Sequence, residues 1–155
     1  MSDLEVRIVQ LDSMRVAYAL GFGPSPEEIA WGKILAFGKA RGLLEDLDQV
    51  RFFGFNNPNP SPGSPNYGYE QWMTVGEGIE AEGEVKIRDF PGGLYAVTRI
   101  KDLNQIGRVW KELAVWQEDS KYKRGNHQWL EELLSPLDLT HIEDLIFDLY
   151  LPIAE

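Results

Sequence analysis

Apolar residues recur along the chain in two rhythms, one of two residues and one of three to four, and the rhythms alternate in a set order. Residues 4–10 place Leu4, Val6 and Ile8 at every second position, the period of a half-buried strand. A second strand is predicted over about 15–22. Ser25-Pro26-Glu27-Glu28 then reads as a helix start, with Ser25 as cap, Pro26 in the first turn and Glu28 closing a capping box. Trp31, Ile34, Leu35 and Gly38 follow on one helical face, and Gly42 marks its end. Further strands are predicted over 49–56 and 67–75. The pattern then restarts. Strand 84–89 turns through Pro91-Gly92-Gly93 into strand 94–100, and Asp102 caps a helix with Gln105 at its third position. Ile106, Val109, Trp110, Leu113 and Trp116 form that helix's buried stripe. A short helix over about 126–134 and a strand over 145–152 complete the reading.

The two runs share residues as well as rhythm. Glu5-Val6-Arg7-Ile8 reappears as Glu84-Val85-Lys86-Ile87, and Trp31 and Trp110 stand at the same separation. In the last strand of each run, Glu70 and Trp72 correspond to Asp148 and Tyr150, one residue closer. The expectation is one domain over residues 1–155, made of two repeats at about 4–76 and 84–153. Strands and helices in this order give an α+β fold of duplicated units, a mainly antiparallel sheet with its helices on one face. The opposite sheet face, where the halves meet, must be closed or hold something.

Composition narrows the functions available. With 155 residues, 43% hydrophobic, the chain has ordinary globular make-up. It has no cysteine, which excludes disulfides and thiolate metal sites and is compatible with a cytoplasmic location. MSDLEVRI does not read as a secretory signal, and no stretch approaches the ~20 apolar residues of a membrane-spanning helix. The net charge of −10 opposes phosphate backbones, so no direct nucleic-acid partner is expected. The basic cluster Lys121, Lys123 and Arg124 reads as a solvated connection. Residues 56–66 hold four prolines and read as a surface loop.

Candidate chemistry is sparse. His127 and His141 stand without cysteine or His-x-x-x-His spacing, so neither metal nor cofactor is expected. No Gly-x-Ser-x-Gly elbow occurs, and Gly21-Phe22-Gly23 lacks a third glycine and a phosphate-loop lysine. Glu70 is different. It lies mid-strand among aromatic residues, and strand alternation puts it on one face with Trp72, Gly68 leaving room beside them. A carboxylate beside an indole suits an aromatic or aliphatic cation; a face turned to solvent would accommodate glutamate equally well. Asp148 and Tyr150 hold the same places in the second repeat. Two nearby carboxylates would tend to hold a proton between them when no cation is bound. Trp31, Phe37, Trp110 and Trp116 read first as core at helical spacing. Tyr18 and Tyr95 could line a pocket or serve the core.

Several of these segments resemble a known family. Gly92-Gly93-Leu94-Tyr95-Ala96-Val97, then Ile106, Trp110, Leu113 and Trp116, then His127-Gln128-Trp129-Leu130-Glu131, then Asp148-Leu149-Tyr150-Leu151-Pro152-Ile153 resemble the GyrI-like small-molecule-binding domain. That module forms the effector-binding half of AraC-type and MerR-type multidrug regulators and also occurs alone. The resemblance covers about 4–153. It implies a ligand cleft between two copies of the unit, aromatic, with a buried acid for lipophilic cations. Carried over by position, the ligand-binding candidates are Glu70, Trp72, Tyr95, Trp110, Trp116, Asp148 and Tyr150. Family members often carry glutamate where this chain has Asp148, which ranks Glu70 first. A first strand at about Leu4 leaves no room for a helix-turn-helix ahead of it, so the stand-alone form is expected.

The resemblance leaves three functions open. One is a transcription-regulator-like module that binds hydrophobic, cationic small molecules. Another is a hydrolase of cyclopropane-bearing genotoxins, with Glu70 positioning or deprotonating water. The third is a gyrase-inhibitor-like protein-interaction module, whose acidic surface would meet a protein partner. The charge balance carries a prediction independent of that choice. At moderate salt the isolated chain should not retard duplex DNA in a mobility assay, because its surface cannot drive counterion release. Tight, salt-sensitive retardation would contradict it.

Overall fold

The computed structural model describes residues 4–45, 50–56, 63, 66–135 and 146–155. The chain divides into two compact units, one spanning Met14–Phe90 and the other joining Met1–Ser13 to Pro91–Glu155. These boundaries differ from those of the sequence repeats because each repeat's first strand pairs in the other unit.

The unit Met14–Phe90 contains β2 (Met14–Gly23), α1 (Pro26–Ala40), β3 (Phe52–Asn56), β4 (Tyr67–Thr74) and β5 (Lys86–Phe90); β1 (Arg7–Leu11) belongs to the other unit. Its sheet runs β3-β4-β2-β5, antiparallel throughout. Alternation along each strand separates two faces. Ala17, Ala19, Phe52 and Met73 share one face, and Ala30, Trp31, Ile34 and Phe37 of α1 are buried. Trp31 meets Phe52 edge-on at 4.9 Å. Small residues set the approach of helix to sheet. A Cβ on Gly21 would fall 2.2 Å from the Pro26 carbonyl oxygen, and one on Gly38 3.2 Å from Met73 Sδ.

The termini of α1 differ in how they are finished. Ser25 occupies the N-cap but makes no side-chain capping hydrogen bond, so the expected capping box does not form. Pro26 at the first position and Glu27 and Glu28 in the first turn suit the helix start without it. At the C-terminus, Gly42 takes φ +69°. The Leu43 N–H then reaches the Gly38 carbonyl at 2.9 Å and the Gly42 N–H that of Lys39 at 3.3 Å, a Schellman closure.

The other unit contains β1, β6 (Gly93–Ile100), α2 (Ile106–Asp119), β7 (Lys123–Arg124), β8 (Leu130–Ser135) and β9 (Ile146–Ala154). Its sheet runs β1-β6-β9-β8, again antiparallel, with β7 paired to the end of β9. Ala96, Ile100, Leu149, Leu151 and Ile153 pack with Val109 and Leu113 of α2. Leu4 and Val6, expected within the first strand, precede it and pack against this same core. Asp102 caps a 3-10 turn ahead of α2, accepting the Asn104 N–H at 3.0 Å, and the N-cap of α2 itself is Gln105. In both units, then, an α+β arrangement sets one long helix against one face of an antiparallel sheet.

Two further expectations are corrected. The helix expected over 126–134 does not form; Leu130–Ser135 is instead β8, paired to β9 from Leu130↔Tyr150 through Ser135↔Ile146. Leu130, Leu133 and Leu134 have helical spacing, but backbone hydrogen bonds to β9 outweigh that local preference. Pro91-Gly92-Gly93 does bend the chain, yet β5 and β6 do not pair, because β5 bonds to β2 and β6 to β1 and β9. The proline-rich stretch lies, apart from Asn56, Gly63 and Asn66, outside the described residues.

Two glycines give opposite predictions. Gly92 takes φ +79° and a Cβ there would fall 2.1 Å from the Leu11 carbonyl oxygen. Gly92→Ala should lower the urea midpoint by more than the equivalent of about 1 kcal/mol. Gly107 lies inside α2 with open space around its Cβ direction. Gly107→Ala should raise stability by about 0.5–1 kcal/mol, since alanine loses less backbone entropy on folding. Equal effects at the two sites would contradict this account of Gly92.

Candidate functional site

On β4, strand alternation sends Gln71 and Met73 to the helix side and Glu70 and Trp72 to the other. Register then decides who joins them. Tyr18 and Leu20 of β2 lie opposite Trp72 and Glu70, Phe22 opposite Gly68, and Phe53 and Phe55 of β3 opposite Trp72 and Glu70. Trp72 is wedged between Phe55 at 5.3 Å and Phe90 at 5.0 Å. Glu70 is 1% exposed. Its Oε2 accepts the indole N–H of Trp72 at 2.5 Å and an Arg88 guanidinium N–H at 3.0 Å. The Arg88 guanidinium also lies over the Tyr18 ring, 4.3 Å from its centroid.

The result is a buried acid inside an aromatic face, oriented by an indole that cannot itself carry charge. Beside it the face turns apolar and accessible: Leu20 is 46% exposed and Phe22 62%. Large apolar side chains this exposed, next to a buried acid, are a place where a hydrophobic molecule can settle.

The unit holding β9 gathers a different set. Asp148 and Tyr150 lie on the face away from α2, with Arg99 opposite Asp148 on β6 and Glu132 opposite it on β8. Asp148 is buried and accepts from Arg7 Nη2 at 2.7 Å and Arg99 Nε at 3.0 Å. Hydrogen bonding to Asp148 pushes the Arg99 pKa up, followed by the charge attraction of the same carboxylate. The Tyr150 hydroxyl donates to Glu132 Oε1 at 2.6 Å. Tyr95 meets Tyr150 edge-on at 5.3 Å, and its hydroxyl donates to the Gln128 carbonyl at 2.5 Å.

The seven candidates therefore fall into three groups. Glu70 and Trp72 are in direct contact. Tyr95, Asp148 and Tyr150 share one face of the strands in the other unit. Trp110 and Trp116 pack on the α2 side, against the core of Ala96, Leu149 and Leu151, and so away from Asp148 and Tyr150. Trp110 meets Trp129 at 5.3 Å, and Trp116 lines a groove of about 560 Å³ along α2 with Leu4 and Val115. Each carboxylate has arginine for a partner within its own unit, Arg88 for Glu70 and Arg7 and Arg99 for Asp148.

Arg88 and Glu132 were missed from sequence. Arg88 sits on a strand that alternates weakly, and nothing in KIRDF indicates that β5 pairs with β2. Glu132 was hidden by the helical reading of its segment. His127 is a packing residue: its Nε2 lies 2.7 Å from the Leu94 carbonyl oxygen, and its ring sits edge-on to Tyr95 at 4.8 Å. His141 lies outside the described residues. Among the described residues no three His, Asp or Glu side chains form a group able to hold a metal, and no helix is long and apolar enough to cross a membrane.

The chain matches Cass2, the integron-associated effector binding protein family, over residues 7–153, and belongs to that family. No curated protein sequence matches it. Among solved structures, the EcmrR C-terminal domain aligns with a TM-score of 0.73 at 12% identity, covering 99% of each chain. Against EcmrR in its DNA complex the TM-score is 0.74 at 11% identity, covering 98% of this chain but only 58% of that one. A hydrolase from Listeria innocua aligns with a TM-score of 0.71 at 12% identity, covering 97% and 92%. SAV2435 bound to tetraphenylphosphonium gives 0.54 at 11% identity, covering 97% and 94%. At these identities the likeness is one of fold, the GyrI-like α+β fold, and the family defines the chain as an effector-binding domain.

Tyr95 supplies a pH prediction. Burial pushes its phenol pKa well above the ordinary value. The folded state thus holds this proton longer than the unfolded state does, so the associated stability is complete below about pH 10 and is lost as pH rises further. Between about pH 9.5 and 11, wild-type stability should fall more steeply than that of Tyr95→Phe, by up to about 1.4 kcal/mol per pH unit. Parallel declines in urea titrations would show that Tyr95 ionises as readily folded as unfolded.

Proposed function

We propose that this effector-binding domain captures hydrophobic, positively charged small molecules on the face that carries Glu70. The observation that carries the proposal is the buried Glu70 carboxylate on the indole N–H of Trp72, flanked by exposed Leu20 and Phe22. Covering apolar surface contributes roughly 25 cal/mol per Å², which supplies affinity without regard to ligand identity. The acid supplies the sign of the charge, because its attraction for a cation strengthens where water is excluded. Tyr18 and Phe55 offer ring faces and edges to the same ligand. The tetraphenylphosphonium bound by SAV2435, a protein of the same fold, is a ligand of this chemical type.

A second reading, hydrolysis, is favoured by one pair. Glu132 and Tyr150 join a buried acid to a phenol at 2.6 Å, and the Listeria innocua hydrolase shares the fold. Turnover of a strained, electrophilic cyclopropane, abolished by Glu132→Gln, would decide for it.

Tryptophan fluorescence titration with a cationic dye and its uncharged analogue tests the binding reading. Glu70→Gln should cost the cation on the order of 1.5–3 kcal/mol and the neutral dye much less. Trp72→Ala should weaken both, because it removes ring surface as well as the donor that orients Glu70. Equal losses for the two dyes on Glu70→Gln, or none for either, would place the binding site away from Glu70.

A further inference from the structure

Glu70 already carries a cation, and that cation belongs to the protein. Arg88 donates to Glu70 Oε2 at 3.0 Å and lies over the Tyr18 ring at 4.3 Å. It thus meets both features that a ligand cation would seek on this face, the carboxylate and a ring face. The two partners differ sharply in burial: the Arg88 side chain is 43% exposed, that of Glu70 2%. Glu70 is held in place by its strand, by packing and by the Trp72 indole. Arg88 projects from β5, which pairs with β2 on one side and ends the β3-β4-β2-β5 order of its unit. A half-hydrated guanidinium on a long flexible stem can leave at small cost, whereas a buried carboxylate cannot be left without a positive partner.

From this we propose that Arg88 is a resident competitor, a tethered surrogate for the ligand that occupies Glu70 and Tyr18 until a hydrophobic cation displaces it. The inference rests on the cation-binding reading above and adds the determinant of its specificity. A small hydrophilic cation offers the carboxylate nothing that Arg88 does not already supply, and Arg88 has the advantage of being tethered. A cation with a large apolar body brings the additional gain of covering Leu20 and Phe22, which Arg88 in its place leaves exposed. Exchange therefore favours lipophilic cations over ammonium-like ones. It also gives the buried acid a positive partner before a ligand arrives.

The test uses tetraphenylphosphonium, with triphenylphosphine oxide as the uncharged control, titrated against the whole chain by tryptophan fluorescence. Arg88→Met, which keeps an apolar stem and removes the charge, should bind tetraphenylphosphonium about tenfold more tightly or better, with the neutral control within about twofold. Arg88→Lys keeps the charge but loses the planar contact with Tyr18, and should show a smaller gain in the same direction; it serves if the methionine variant folds poorly. In Glu70→Gln the gain from Arg88→Met should vanish, since there is no carboxylate left to compete for. If Glu70→Gln weakens the cation while Arg88→Met weakens it too or leaves it unchanged, Arg88 positions Glu70 and the competitor proposal is overturned, with the cation reading intact. If neither substitution separates the cation from the neutral control, the cation reading fails and this proposal falls with it.

Discussion

A carboxylate taken almost wholly out of water has to recover what hydration supplied, and the way Glu70 does so organises the unit around it. Its two identified donors, the indole N–H of Trp72 and the guanidinium of Arg88, come from different strands. Holding both requires that β4, β2 and β5 keep their register, because a slip of one residue would turn Glu70 to the helix side, among Ala17, Ala19 and Met73. The aromatic packing of Trp72 between Phe55 and Phe90 fixes the indole and, through it, the acid. Polar satisfaction and apolar packing are thus coupled at a single side chain.

Alternation along the strands divides labour in each unit. One face of the sheet is sealed by a helix and filled with Ala17, Phe52 and Met73 in one unit, and with Ala96, Leu149 and Leu151 in the other. The opposite face is where acids appear: Glu70 in one unit, Asp148 and Glu132 in the other. The two acid faces are not equivalent in chemistry. Asp148 is held by two arginines, while Tyr150 directs its hydroxyl to Glu132. A shorter side chain on β9 holds Asp148 close to its own sheet, within reach of Arg7 on β1 and Arg99 on β6. The Glu70 face, with half-exposed Arg88 and accessible Leu20 and Phe22, is the one we propose takes up an external cation.

Much of this was legible in the residues alone. The long helices, seven of the strands and the shared rhythm of the two runs follow from hydrophobic period, a property of neighbouring residues that needs no knowledge of the fold. The conjunction of Glu70 and Trp72 on one strand face is legible for the same reason, since side chains two apart on a strand must point the same way. What stayed hidden depends on partners distant in sequence. Leu130-Glu131-Glu132-Leu133 has helical spacing and becomes a strand where β9 offers it hydrogen bonds. Trp110 and Trp116 carry the bulk of pocket residues but lie on the helix side, a matter of which face α2 covers. Arg88 reaches Glu70 because β5 pairs with β2, and no local pattern in KIRDF encodes that pairing. The sequence determined which side chains could be buried, charged or stacked; only the tertiary structure decided which of them meet, because strand pairing is set by long-range hydrogen bonds and packing rather than by the residues on either side.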